Sequence, residues 1–195
     1  MSQENTNKIA IIGHTRGIGK AIADLYKEKG YHVIGMSRSN GYDLGKNHED
    51  IMEKMRDCGL VVLNAHLGNG QLTLLKRIYG MHVFDNMKVA VITSTSGLDG
   101  GADYNEFELW DKFEYAQYCE QKKQLIEYIS ELQDELLSKP LSVHDVCPDV
   151  VDTDMTKGLW TNLPKLKASD VADAVEYCFE STYNVNKVVL QKNVS

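Results

Sequence analysis

The chain has 195 residues, of which 43% are hydrophobic and 25% charged, proportions that suit one globular domain with a full core. A net charge of −7 argues against general nucleic-acid binding, and no apolar run comes near the ~20 residues of a membrane-crossing helix. The opening MSQENTNK lacks the apolar stretch of a secretory signal, and Cys58, Cys119, Cys147 and Cys178 form neither a CxxC pair nor a metal spacing. They are expected to be reduced, mostly buried thiols of a cytoplasmic protein.

In chain order, KIAII (Lys8–Ile12) is apolar and β-branched and predicts a buried parallel strand. Ile18, Ile22 and Leu25 then fall at helical spacing over Gly17–Lys29, with Gly30 as a natural stop. His32–Met36 predicts a second strand, Glu49–Cys58 a helix, and LVVLN (Leu60–Asn64) a third strand. A helix is expected over about residues 71–86, interrupted in quality by Gly80. Lys88–Ser94 predicts a strand, about 111–138 a long helix, Leu141–Cys147 a strand, about 168–181 a helix, and Asn186–Gln191 a last strand. Strands and helices alternate throughout. That pattern predicts an α/β fold, a Rossmann-like doubly wound parallel sheet flanked by helices, with residues 1–195 as a single domain. Between Asp99 and Gln117 a strongly acidic stretch predicts a long loop beside a strand end, where such folds place ligands.

Between the first strand and the first helix lies GHTRGIG, residues 13–19. A P-loop needs GxxxxGK[ST], but five residues separate Gly13 from Gly19 and Ala21 follows Lys20. The GxGxxG fingerprint would require glycine where Ile22 stands. What remains is Gly-x-x-x-Gly-x-Gly in the right context. Gly13 can turn the chain, Gly17 can admit a pyrophosphate to the backbone N–H groups at the helix start, and Gly19 can let helix and sheet pack closely.

GHTRGIG resembles the TGxxxGIG loop of short-chain dehydrogenases/reductases, with Ile12 in place of the threonine. Four later segments resemble that family in the same order. LNAH (Leu63–His66) is similar to NNAG at the end of the family's fourth strand, with Asn64 and Ala65 matching. STSG (Ser94–Gly97) is similar to the SxxG that carries the catalytic serine. YCEQK supplies YxxxK as Tyr118 and Lys122, and CPDVVDTDM (Cys147–Met155) is similar to PGxVxTDM. The resemblance implies Ser94, Tyr118 and Lys122 as the catalytic set. It implies cofactor contacts from Gly13, Thr15, Arg16, Gly17, Ile18, Gly19, Ser37, Arg38, Asp43, Asn64, Ala65, Pro148, Val151 and Thr153, and no metal.

The chemistry follows from residue types. Hydride transfer to or from a carbonyl carbon needs a proton moved at the oxygen. A phenol can do this once a neighbouring ammonium lowers its pKa. Tyr118 and Lys122 are four apart and so share a helix face, whereas Tyr115 has Cys119 at that offset. Ser94 would hold the substrate oxygen. At the second strand end, GMSRS (Gly35–Ser39) has no acidic residue to hold a ribose 2′-hydroxyl. Ser37 and Arg38, with Arg16, suit a 2′-phosphate instead, so NADP(H) is expected over NAD(H).

Several features depart from the family. Asn64 and Ser94 are only 30 positions apart, so the family's catalytic asparagine has no clear counterpart; Asn69 and Asn86 are the candidates. Ser94 and Tyr118 are 24 apart, closer to sugar-nucleotide epimerases. Asp149 replaces a glycine beside the cofactor. His14 and His66 are candidates to line the site, and Leu159, Trp160 and Leu163 to form an apolar cover. The terminal NVS is a glycosylation pattern outside a secretory context. The expected function is an NADPH-dependent carbonyl reductase or alcohol dehydrogenase acting on a neutral or cationic small molecule, in a homo-oligomer. The alternatives are a nucleotide-sugar epimerase or dehydratase and a catalytically inactive NADP(H)-sensing regulator.

Overall fold

The computed structural model describes residues 7–81, 86–98, 112–159 and 161–192, the side chains of residues 112, 113 and 138 excepted. Most of the acidic stretch (99–111), Trp160 and the terminal NVS lie outside the described residues.

Six strands, β1 (Lys8–Ile12), β2 (His32–Met36), β3 (Leu60–Leu63), β4 (Lys88–Ile92), β5 (Ser142–Pro148) and β6 (Lys187–Leu190), form one sheet in the order β2-β1-β3-β4-β5-β6. Every pairing is parallel. Among the described residues five α-helices connect them: α1 (Gly17–Glu28), α2 (His48–Met55), α3 (Gly70–Gly80), α4 (Lys112–Glu135) and α5 (Ala168–Glu180). The segment LNAH follows the third strand here, because α2 leads directly into β3.

The four central strands β1, β3, β4 and β5 are buried on both faces, as their near-continuous apolar runs require. Side chains alternate with period two. Ala10, Ile12, Val61, Leu63, Val89 and Val91 face α2, α3 and α4, while Ile9, Ile11, Val62, Ala90 and Ile92 face α1 and α5. Each fully buried Leu, Ile or Val contributes about 1.5–3 kcal/mol, so these two layers hold the strand ends in place.

The elements match the sequence expectations, with three differences. Helix α3 stops at Gly80 instead of continuing to about 86, because Met81 turns extended (φ −113°, ψ 107°). Strand β4 ends at Ile92, and Ser94 leads into a 3-10 turn at Thr95–Gly97. Residues 112–117, where the expected long helix and the expected acidic loop overlap, belong to α4. The chain reverses its direction of strand addition between β1 and β3, and the carboxyl ends of those strands open a crevice there, as at the switch point of other doubly wound sheets. None of the described helices is long and apolar enough to cross a membrane. All four cysteines are free and buried.

Candidate active site

A cleft of about 770 Å³ runs along the carboxyl ends of β1, β3, β4 and β5. One end is the glycine loop. Gly13 has φ +92° and donates its N–H to the Met36 carbonyl at 2.7 Å; a Cβ there would lie 2.9 Å from Ala65. Only glycine combines that left-handed backbone with so close an approach. Gly19 packs tighter still. A Cβ on it would lie 2.0 Å from the Gly13 carbonyl oxygen and 2.6 Å from Asn64 Nδ2, and Asn64 itself donates to that oxygen at 3.0 Å. Asn64 and Ala65 thus buttress the loop as well as lining the cleft. Arg16 precedes α1 and makes no side-chain cap, so the helix start presents uncapped N–H groups to the cleft. Gly17 lies against Thr153, whose Cγ2 would be 3.1 Å from a Cβ there.

Of the residues expected to contact a cofactor, Gly13, Thr15, Arg16, Gly17, Ile18, Ser37, Arg38, Asn64, Ala65, Pro148, Val151 and Thr153 line the cleft. Two do not. Gly19 is buried behind the loop. Asp43 turns its carboxylate to the Gly45 N–H at 2.8 Å, and its neighbours Tyr42 and Leu44 reach the wall in its place. Ser37, Ser39 and Asn40 knit the turn after β2 through short hydrogen bonds. Among the described residues neither Arg16 nor Arg38 has a carboxylate partner. A glycine cradle, an uncapped helix start and two exposed guanidinium groups on the cleft wall fit the phosphates of a dinucleotide.

The other end holds the catalytic candidates. Ser94 and Tyr118 share this end of the cleft wall, and the Ser94 side chain draws the Tyr118 phenol downward. Lys122, one turn on, is only 3% exposed, with its Nζ 5.7 Å from the Tyr118 ring centroid. The ammonium donates to Gln71 Oε1 at 2.8 Å and to the Ile92 carbonyl at 2.9 Å. Gly97 explains the close fit: a Cβ on it would lie 2.7 Å from the Lys122 and Lys123 backbone, so the turn carrying Ser94 rests directly on α4.

The electrostatics correct one expectation. Lys122 was expected to lower the Tyr118 phenol. Burial instead pushes it up to about 12, against the Ser94 hydrogen bond, which acts downward. Burial also brings Lys122 down to about 8, against the attraction of the buried Asp145 carboxylate and of Cys147. Desolvation penalises both charged forms, and the two carbonyl acceptors hold the ammonium within the protein. Tyr118 is therefore a protonated phenol at neutral pH.

His66 lines the cleft with its ring edge-on to Tyr118, centroids 4.8 Å apart. Burial, then the Lys122 charge, bring it down to about 4, so the imidazole is neutral. His14 packs against Gly35 in β2 and is not part of the wall. Tyr115 is buried, stacks on Tyr118 at 6.1 Å and donates to Ser96 Oγ at 2.9 Å. Asp149 lines the cleft and accepts from Thr95 Oγ1 at 3.1 Å, which tethers its charge to the turn beside Ser94. Leu159 is buried away from the cleft and Leu163 is exposed. Asn69 and Asn86 are both exposed and lie outside the cleft wall. Gln71 is the residue that sequence reading missed. It had left a signal, since it shares the buried stripe of α3 with Leu74, Leu75 and Ile78, where a polar side chain needs partners.

No family model matches the chain. Among curated proteins it is similar to the 3-oxoacyl-[acyl-carrier-protein] reductase of Rattus norvegicus, at 25% identity over 93% of this chain and 94% of that protein. Among solved structures it is similar to the 3-alpha-hydroxysteroid dehydrogenase of Pseudomonas sp. B-0831 complexed with NADH. The TM-score is 0.74 at 15% identity, covering 94% of each chain. It is similar as well to a short-chain dehydrogenase from Burkholderia cenocepacia in complex with NADP, with a TM-score of 0.73 at 16% identity, covering 98% of this chain and 90% of that one. Five motifs stand in order on the matching elements of a matching sheet, and the sequence match runs nearly end to end, so the chain is similar throughout to short-chain dehydrogenases/reductases.

Proposed function

We propose that this chain is an NADPH-dependent carbonyl reductase that uses Tyr118 as proton donor, Ser94 as the group that holds the substrate oxygen, and Lys122 as the charge that stabilises the phenolate left behind. The observation that carries the reading is Ser94, Tyr118 and the buried ammonium of Lys122, one helical turn on, gathered on the wall of the same cleft that the glycine loop lines. Gly13 and Gly17, with Arg16 and Arg38 at the rim, would hold the cofactor, and Asn64 and Thr153 would line its path. When bound, the nicotinamide supplies the hydride.

The residues of this chain do the rest. Ser94 orients the carbonyl oxygen toward Tyr118. A phenol near 12 stays protonated at neutral pH and so enters the reaction as the proton donor. Lys122 remains protonated below about 8, with its Nζ 5.7 Å from the Tyr118 ring centroid. Asp149, tethered beside Ser94, disfavours anionic groups close to the reacting carbon and leaves neutral or cationic carbonyl compounds as the substrate class. Buried thiols support a cytoplasmic setting.

Substitution Tyr118→Phe tests the assignment. It should lower carbonyl reduction about 10²–10⁴-fold, the usual contribution of a positioned proton donor. NADPH affinity, read by fluorescence titration, should change by less than about twofold because the hydroxyl binds substrate oxygen and not the cofactor. Persistence of activity would remove Tyr118 from proton transfer.

A further inference from the structure

We infer that Gln71 is the positioning residue for Lys122: its side-chain amide ties the ammonium to the carboxyl ends of β3 and β4. The inference rests on the oxidoreductase reading above.

Gln71 is 2% exposed, at the first turn of α3. Its Nε2 donates to the Leu63 carbonyl at 2.8 Å and to the Ile92 carbonyl at 3.1 Å, and its Oε1 accepts from Lys122 Nζ at 2.8 Å. Both amide protons and the amide oxygen are thus engaged. The opposite orientation would aim NH₂ at an ammonium and oxygen at two carbonyl oxygens, so only one rotamer satisfies the network. Leu63 closes β3 next to Asn64, and Ile92 closes β4 two residues before Ser94. The amide therefore registers Lys122, on α4, against the two strand ends that carry Asn64 and Ser94.

The charge argument explains why an amide suits this position. Lys122 gives two of its three N–H groups to neutral oxygens, Gln71 Oε1 and the Ile92 carbonyl. The third is left for the cleft side, where Lys122 reaches the wall beside Tyr118. A carboxylate at residue 71 would still accept from the ammonium, but it would aim its second oxygen at the Leu63 and Ile92 carbonyls and would neutralise the charge that the Tyr118 phenolate must feel. Other titratable groups around Lys122 are Tyr118 on its own helix, His66 from the β3–α3 connection, and Asp145 and Cys147 from β5. Asp145 is occupied by Thr93 and by Lys187 at 3.2 Å, so it acts on Lys122 only through space.

The test compares Gln71→Leu, Gln71→Glu and the parent chain. Lysine-selective isotope labelling and NMR follow the Lys122 side-chain titration in the full chain without cofactor, with Lys122→Met to assign the signal. Kinetics with NADPH follow separately. Gln71→Leu should move the Lys122 titration to lower pH and reduce kcat about 10- to 100-fold, as expected for losing one hydrogen bond to a buried charge. Gln71→Glu should move the titration to higher pH and carry the alkaline limit of activity with it. If Gln71→Leu does not fold, the isosteric Gln71→Glu decides by its titration and pH profile. A Lys122 titration and pH profile unmoved in every folded variant would overturn the inference and leave Gln71 a packing residue. A shifted titration in a chain that neither binds nicotinamide nucleotides nor reduces carbonyls would sink the oxidoreductase reading and leave the coupling standing.

Discussion

Gly97 gives the most searching test of the site, because it joins the two elements that carry the catalytic candidates without contacting substrate or cofactor. An added Cβ would sit 2.7 Å from the Lys122 carbonyl carbon and the Lys123 nitrogen, and 2.8 Å from Lys122 Cβ. Carbon contacts relax to about 3.5 Å, so in Gly97→Ala the turn Thr95–Gly97 must lift from α4 by roughly 0.8 Å. These neighbours are helix backbone and cannot swing aside. A hydrogen bond of ordinary length between Ser94 and Tyr118 would stretch past about 3.5 Å, beyond useful strength. A misplacement near 1 Å costs on the order of 10²-fold in rate, while overpacking of this kind destabilises by about 1–3 kcal/mol. The expected outcome is a folded protein whose melting temperature falls by roughly 2–12 °C, with kcat for carbonyl reduction down about 100-fold and NADPH affinity within about twofold. Thermal denaturation, cofactor titration and steady-state kinetics read the three quantities. If Gly97→Ala keeps the parent kcat while its stability drops as expected, the Ser94–Tyr118 contact does not govern the chemistry.

The remaining predictions concern charge. Arg38→Ala should weaken NADPH about tenfold more than NADH, since an exposed guanidinium at the end of β2 can bind a 2′-phosphate and has nothing comparable to grip on a hydroxyl; equal losses would remove the preference. The pH profile of reduction should be flat through roughly pH 6 to 7 and fall as pH rises through about 8, because the Lys122 ammonium that stabilises the Tyr118 phenolate is lost there. A profile that stays flat well above that value would take Lys122 out of the proton step.

The fold was legible because hydrophobic periodicity is a local property. KIAII, LVVL and KVAVI are runs that both faces of a parallel sheet must bury, and they appear as β1, β3 and β4. Element ends were less legible. Whether Met81 continues a helix or turns extended, and whether Ser94 stays in a strand or starts a 3-10 turn, depends on what packs above them. The glycine positions illustrate both sides: a strand–helix context marked residues 13–19 as a loop for close approach, but the contact between Gly97 and α4 joins segments more than twenty residues apart.

From sequence alone came the order of the elements, the spacing that puts Tyr118 and Lys122 on one helix face, and the absence of an acidic residue at the end of β2. Each of these depends on neighbours along the chain. Tertiary structure decided which charges survive burial, raising Tyr118 and lowering Lys122 where simple pairing predicted a lowered phenol. It also turned Asp43 into a turn residue and brought Gln71 against an ammonium 51 positions away. Desolvation and hydrogen-bond geometry are set by everything that surrounds a group in space, and no local reading of the chain contains that information.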